Sequence, residues 1–577
     1  MPEEETDLQI AELEAQVAVL QSQASTNNKS TVERREPSFE TTSSPATTIG
    51  EHPPSGQLQF TLQPRFQYFG QSFLQRLSIH LSLLHGWHYT QEQLQPKPVT
   101  FPYFSCGGAS ETPQSLSHSD GVFMRKEQEE ECLQIFWQSY HCAVPILDEG
   151  QVREHHAQLW RHHRTGTSRG DSPLIDIMLA ICIQYGMTRV EQTPNEAAED
   201  TSGVDPSNAG RWYFRRCQSL LKPEVETPSI MLLQCQILST IYLRDASLFN
   251  TSLSVIATAV QTSYALGLHL EPSESVDRIH SEMNKRLWCM VFVLESKMNM
   301  DYGRPFCTHG FNVQPPGDDK ELASISTEMF TPDSNLNITW LTYHLQHVKL
   351  IRAARGVVES VRERQQNLVG LNNEHGFCLD DDSWSDFDSF IAGKLVLLSL
   401  WLDDVPEELK CEPALSLNTQ EASLPQTEVQ LGGPIWLQRQ RIMLRLLYHD
   451  VVISICRPLV LFSAPSEIVE RSSSKCASEC LAHAAAITDI LHDVFARDRE
   501  VLYGWHRAYQ FQWNAAISMI AFALGEPGSS STPWLVDEIE KAIANLEIFG
   551  RSFAVARSAE RIIRELYGRL HARLVER

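Results

Sequence analysis

The chain has 577 residues, 42% of them hydrophobic, enough for one large or two medium cores and too apolar for a mainly disordered protein. Its 48 basic and 72 acidic residues leave a formal charge of -24, which excludes a global attraction to nucleic acid or anionic lipid; any DNA contact must come from a local basic module. The longest apolar stretches, 174–183 and 394–402, fall short of the roughly twenty residues that span a bilayer, and the acidic amino terminus lacks the pattern of a secretory or mitochondrial leader, so the chain is expected to stay inside the cell, away from membranes.

In chain order, residues 7–23 place Ile10, Leu13, Val17 and Leu20 at alternating spacings of three and four. A dimerising coiled-coil seam over 1–25 and a frayed amphipathic helix fit this short run equally well. Residues 26–64, rich in Ser, Thr and Pro, read as a disordered linker, and 65–120 as a segment preceding the main domain. Helix-type patterning then dominates, at 127–147, 172–187, 208–221, 228–243, 247–267, 281–302, 336–364, 386–403, 434–456, 474–496, 504–524 and 535–572, with no comparable alternating β-branched run. The expected fold is an all-α bundle, divided into a core at 121–330 and a helical continuation at 331–577. Pro145 should break the first helix, Pro228 should open the fourth, and Gly267 should close the fifth in a left-handed carboxyl cap.

Chemistry is sparse. No phosphate-cradling loop or zinc-binding His-Glu-x-x-His helix occurs. The thirteen cysteines lie mostly in apolar helical contexts and read as buried thiols; Cys476 and Cys480, one turn apart, lack the further ligands of a zinc site. His155, His156, His162 and His163 lack the same-face spacing of a metal helix and read as a solvated or partly packed face. Asp403, Asp404 and Glu407 match the spacing of a magnesium-diphosphate motif of terpene cyclases, but Pro406 interrupts it, and the acidic stretch 381–389 stands on the wrong side of it in the chain. The segment 378–390 is expected to be a loop running into a helix capped by Ser385; the other reading is an acidic activation segment keeping Trp384, Phe387 and Phe390 solvated for a partner.

One stretch is more specific. In "NKRLWCMVFVLESKMNMDYGRPFCTHGFNVQPP" (284–316), an apolar helix bearing Lys285, Arg286, Leu287 and Trp288 stops at Gly303-Arg304-Pro305. It resembles the signature of the regulatory, or middle homology, domain of fungal zinc-cluster transcription factors, with Cys289 in place of a second Trp and Glu295 in place of an Asp. Further segments are similar in order and spacing: 68–73, 136–147, 172–186, 228–243, the step ending in Gly267 and His269, and the helix 441–462 with its Arg457-Pro458 exit. In physical terms, Arg286 should hold its guanidinium at the surface while its stem covers apolar neighbours, Gly303 should supply a left-handed exit, and Arg304 should reach helix carbonyls or Glu295.

The resemblance implies a nuclear transcription regulator of a fungal pathway, such as a secondary-metabolite or catabolic gene set, and not an enzyme. It also implies DNA binding through a six-cysteine zinc cluster, yet no cysteine precedes Cys106, so the chain reads as beginning past that module. On this reading it needs no cofactor itself, zinc belonging only to an upstream cluster. It would touch DNA only with that cluster restored, pair with itself or a family member, meet the transcription machinery, and respond to a small metabolite. A metabolite-sensing module or co-regulator without DNA binding is the alternative, and a terpene-type enzyme a distant one.

Overall fold

The computed structural model describes residues 73–97, 123–161, 169–187, 206–272, 277–327, 329–330, 337–371, 381–410, 433–460, 474–525 and 532–575. The candidate seam Ile10, Leu13, Val17 and Leu20 and the linker 26–64 lie outside these residues. Among the described residues there are seventeen α-helices and no strand. They are α1 (Phe73–His85), α2 (Gln91–Leu94), α3 (Lys126–Ile135), α4 (Glu149–Arg161), α5 (Pro173–Met187), α6 (Arg211–Leu221), α7 (Ile230–Asp245), α8 (Phe249–Ala265) and α9 (Arg278–Asp301). There follow α10 (Lys320–Ser326), α11 (Thr342–Leu371), α12 (Asp381–Asp404), α13 (Ile435–Val460), α14 (Lys475–Arg497), α15 (Arg507–Gly525), α16 (Thr532–Gly550) and α17 (Ala554–Val575). None is long and apolar enough to cross a membrane.

Apolar side chains gather in two clusters. One draws on Leu133 to Val313, chiefly α5 to α9. The other joins α1 to the helices from α11 to α17. Helix α9 is the shared wall: Leu287, Trp288, Val291 and Leu294 enter the first cluster, whereas Cys289, Phe292, Val293 and Met300 enter the second. A helix covered on both sides must be apolar all round, which is why 287–294 carries no charge.

Local chemistry sets the ends. Asp277 caps α9 by accepting from the Ile279 amide, Ser229 caps α7, and Ser474 caps α14. Thus Pro228 lies two residues before the helix it was expected to open; Ser229 supplies the stronger start signal. The expected helix 127–147 changes winding partway, with Phe136–Tyr140 forming a π turn in which the His141 amide donates to the Phe136 carbonyl at 3.0 Å. The expected helix 535–572 is two helices, broken after Gly550. Helix α12 begins at Asp381, so Ser385 sits inside it and not at its amino-terminal cap. Pro458 falls inside α13, which runs on to Val460. Helix α1 was not anticipated as a helix; its Leu77 and Leu81 are fully buried, and the Arg457 guanidinium lies 4.8 Å from the Phe73 ring.

Candidate functional site

The Gly-Arg-Pro corner at the end of α9 is a built structure. Gly303 has φ +64°, and the Arg304 amide reaches back to the Asn299 carbonyl at 2.9 Å, so the helix ends in a left-handed cap. Arg304 does not reach Glu295. It is exposed, donates to Asn250 Oδ1 at 3.0 Å, and its carbonyl accepts from Arg362 at 2.7 Å. Pro305 is exposed beside it.

Glu295 is instead fully buried. It accepts from the Asn299 amide nitrogen at 2.7 Å, the Cys307 backbone at 2.5 Å and the Thr308 hydroxyl at 2.8 Å, and Arg355 of α11 stands 3.7 Å away. Arg355 continues over the Phe306 and Phe292 rings. One carboxylate therefore fastens α9, the chain beyond Pro305 and α11. The cation it uses comes from a helix sixty residues away along the chain, which spacing on α9 could not reveal.

Arg286 is also placed differently from the expectation. It is buried, not at the surface, and donates to Ser326 Oγ of α10 at 2.8 Å. Burial pulls its guanidinium down to about 10, against the opposing pull of Glu282 and Asp319. Charged side chains are ordinarily exposed, and only the packing of α10 onto α9 makes this burial tolerable. Trp288 is buried with Tyr264 and His269, its ring 5.6 Å and 6.2 Å from theirs, and Gly267 has φ +70° in the turn between. Arg457 joins the same body more distantly: it donates to Asn514 at 3.3 Å, Asn514 donates to Asp450 at 2.8 Å, and Asp450 holds Lys297 of α9 at 2.7 Å.

Gly303→Val is expected to destabilise the domain by about 1–2 kcal/mol, because a β-branched residue resists the left-handed region. Urea unfolding would measure it; an unchanged midpoint would remove the capping role.

His141 and His344 are fully buried near Arg286, and burial, helped by Arg286, lowers both to about 3. Their folded affinity for protons lies below the ordinary value of 6.5, so the unfolded chain binds protons first as pH falls. The stability they support is complete above pH ~6.5 and is lost progressively toward pH ~3, at up to about 1.4 kcal/mol per unit for each histidine. The urea midpoint should therefore be lower at pH 5.5 than at pH 7.5; equal midpoints would contradict their burial as neutral rings.

A cavity of about 60 Å³ opens beside Met290 and Leu294 of α9, where the two clusters meet. Tyr140, Tyr185, Asp245, Met290, Tyr343 and His347 form its walls, and Arg244, Trp505 and Arg507 edge it, partly exposed. Gly504, at φ +76°, brings its backbone against Tyr185 and accepts from the Tyr140 hydroxyl at 3.3 Å. Arg439 braces the wall, donating to Tyr185 at 2.9 Å and Ser139 at 3.1 Å. Arg244 Nε is 3.6 Å from Asp245 Oδ1, too long for a hydrogen bond, and both ring nitrogens of His347 lie buried without a partner. Burial, together with Arg507, holds His347 well below the usual histidine range. Sequence reading missed this group because seven separate segments build it. The one signal was Arg244-Asp245, a charged pair closing an otherwise apolar helix.

The other motifs have structural roles. His156 bonds Glu129 at 2.9 Å within a buried network that also holds Trp160, Arg169 and Asp176, and His155 bonds Ser172; His162 and His163 lie outside the described residues. Asp404 pairs with Lys349 at 2.7 Å and Glu407 with Lys410 at 2.7 Å on the surface. Phe387 is fully buried and Asp388 accepts from the Ser474 hydroxyl and the Lys475 and Cys476 amides, so this part of 378–390 is neither a loop nor a solvated activation segment. Among the described residues no group of three His, Cys, Asp or Glu is placed to hold a metal, and the described cysteines, Cys476 and Cys480 included, are free.

Residues 133–364, which span the π turn, α9 with its Gly-Arg-Pro corner and most of α11, match the fungal specific transcription factor domain. The chain is also 33% identical over 490 residues to the transcription factor asqA of Emericella nidulans, covering 83% of this chain and 84% of that one. It belongs to the fungal-specific transcription factor domain family. A second relative of this family member, the terreic acid cluster-specific transcription factor atF of Aspergillus terreus, is 29% identical over 485 residues, covering 81% and 71% of the two chains. The oosporein cluster regulator OpS3 of Beauveria bassiana is 23% identical over 447 residues, covering 73% and 58%. The family member described here is a regulator of transcription, and its signature residues make the corner at the end of α9 and the buried interface of α9 with α8 and α10.

Proposed function

We propose that this chain regulates one biosynthetic gene cluster from the nucleus, as a non-enzymatic regulator. The observation that carries the reading is its similarity, through most of both chains, to asqA and to a regulator named for the terreic acid cluster. The rigid junction at α9 suits such a role, since a regulatory domain must carry a change at one face to another. On this reading the chain pairs through Ile10, Leu13, Val17 and Leu20, with itself or with a family member, and meets the transcription machinery through its helical body. Residues 1–105 hold no cysteine, so a zinc cluster contacting DNA must be supplied from outside them.

Disrupting the gene in its fungus and sequencing the transcripts tests this. A tenfold or larger change confined to one contiguous gene set is expected; transcripts unchanged at every cluster would overturn it. Regulation by a small metabolite is part of the same proposal, and the cavity beside α9 is the observation that favours it.

A further inference from the structure

We propose that the cavity between the two apolar clusters binds a small carboxylate, with an apolar end no larger than a single ring, and that its occupancy stiffens the junction at α9. This rests on the effector reading above and gives that effector a chemical class.

Charge supports the class. Two guanidiniums, Arg244 and Arg507, edge the cavity and one carboxylate, Asp245, faces them, which leaves an excess positive charge. Among the described residues no carboxylate lies within ion-pair distance of Arg507. An incoming anion would meet both guanidiniums in a poorly hydrated place, where charge-assisted hydrogen bonds are strong. Polar satisfaction supports a ligand of some kind. His347 is 6% exposed and faces the cavity with neither ring nitrogen partnered, and Asp245 Oδ1 is likewise buried without a hydrogen bond. Native proteins seldom leave such groups unmet, so a ligand or water belongs there.

Shape supports the size. Tyr140, Tyr185, Tyr343 and Trp505 line the cavity, and Met290 and Met443 are the adaptable part of the wall. A volume of about 60 Å³ is well below the roughly 150 Å³ that holds benzene, so acetate fits as found and a ring requires the methionines to shift. Met290 belongs to α9, Met443 to α13 and Tyr343 to α11, so a bound molecule would bear on three helices that also meet at the Lys297–Asp450 and Glu295–Arg355 ties.

The full chain is titrated with acetate, benzoate and benzamide at constant ionic strength, by calorimetry and thermal shift. Benzoate is expected to bind and raise the unfolding midpoint, acetate more weakly, and the isosteric neutral benzamide at least tenfold more weakly than benzoate. Arg507→Gln and Arg244→Gln should each weaken benzoate tenfold or more, and Met443→Ala should tighten benzoate relative to acetate, a gain that a damaged fold cannot produce. Benzamide binding as well as benzoate would overturn the carboxylate assignment and leave the effector reading intact. No response to any of the three, in a chain that unfolds cooperatively, would overturn the site; the transcript experiment stands apart from either result.

Discussion

Glu295→Ala is expected to lower the stability of the helical domain by about 3–5 kcal/mol, the usual cost of leaving one member of a buried ion pair unmatched. Arg355 would keep its bonds to the Thr308 carbonyl and Glu359 but lose the one buried carboxylate that meets it among the described residues, and the Cys307 amide would lose its acceptor. Glu295→Gln should recover part of this, because an amide oxygen still accepts from two of the same donors. Urea unfolding of the three proteins side by side is the measurement. If alanine and wild type share a midpoint, the carboxylate does not fasten the Gly-Arg-Pro corner to α11, and the account of the signature given above fails.

The second large effect is expected at Gly504. A Cβ placed there would lie 1.6 Å from Tyr185 Cδ2, and the residue has φ +76°, so Gly504→Ala combines a left-handed strain of about 1–2 kcal/mol with overpacking of about 1–3 kcal/mol. Tyr185 cannot swing aside freely, because its hydroxyl accepts from Arg439 at 2.9 Å, and Arg439 also holds Ser139 and the Val501 carbonyl. Relief must come from moving the 504–507 segment outward, which would reshape the cavity mouth at Trp505 and Arg507. The expected result is a lower unfolding midpoint together with altered benzoate affinity. Wild-type values of both would mean that the close approach of Gly504 to Tyr185 does not exist in solution.

These two residues were legible to different degrees. Glu295 is visible on the apolar face of a signature helix, but proximity along the chain offers it only Arg304, nine residues on, which could equally reach helix carbonyls. Folding instead brings Arg355 across from α11. Gly504 carried no sequence signal; its importance lies in Tyr185, more than three hundred residues earlier. Arg286 shows the same limit. Composition places a guanidinium at the surface, and it is buried because Ser326 and Asp319 arrive from the next element to join Glu282 of its own helix.

By itself the sequence determined the helical class, the apolar faces of the helices, the left-handed exits at Gly267 and Gly303, and the family, whose signature is a run of local backbone and packing requirements. These depend on interactions within a few residues, so periodicity and glycine placement report them directly. The tertiary structure alone decided which charges are buried and with whom, that α9 separates two cores, and that Arg244, Asp245, His347, Tyr185 and the 504–507 segment surround one cavity. Such groupings join positions scattered over hundreds of residues, and the free energy of burying a charge is set by the partners that folding delivers, which no local pattern encodes.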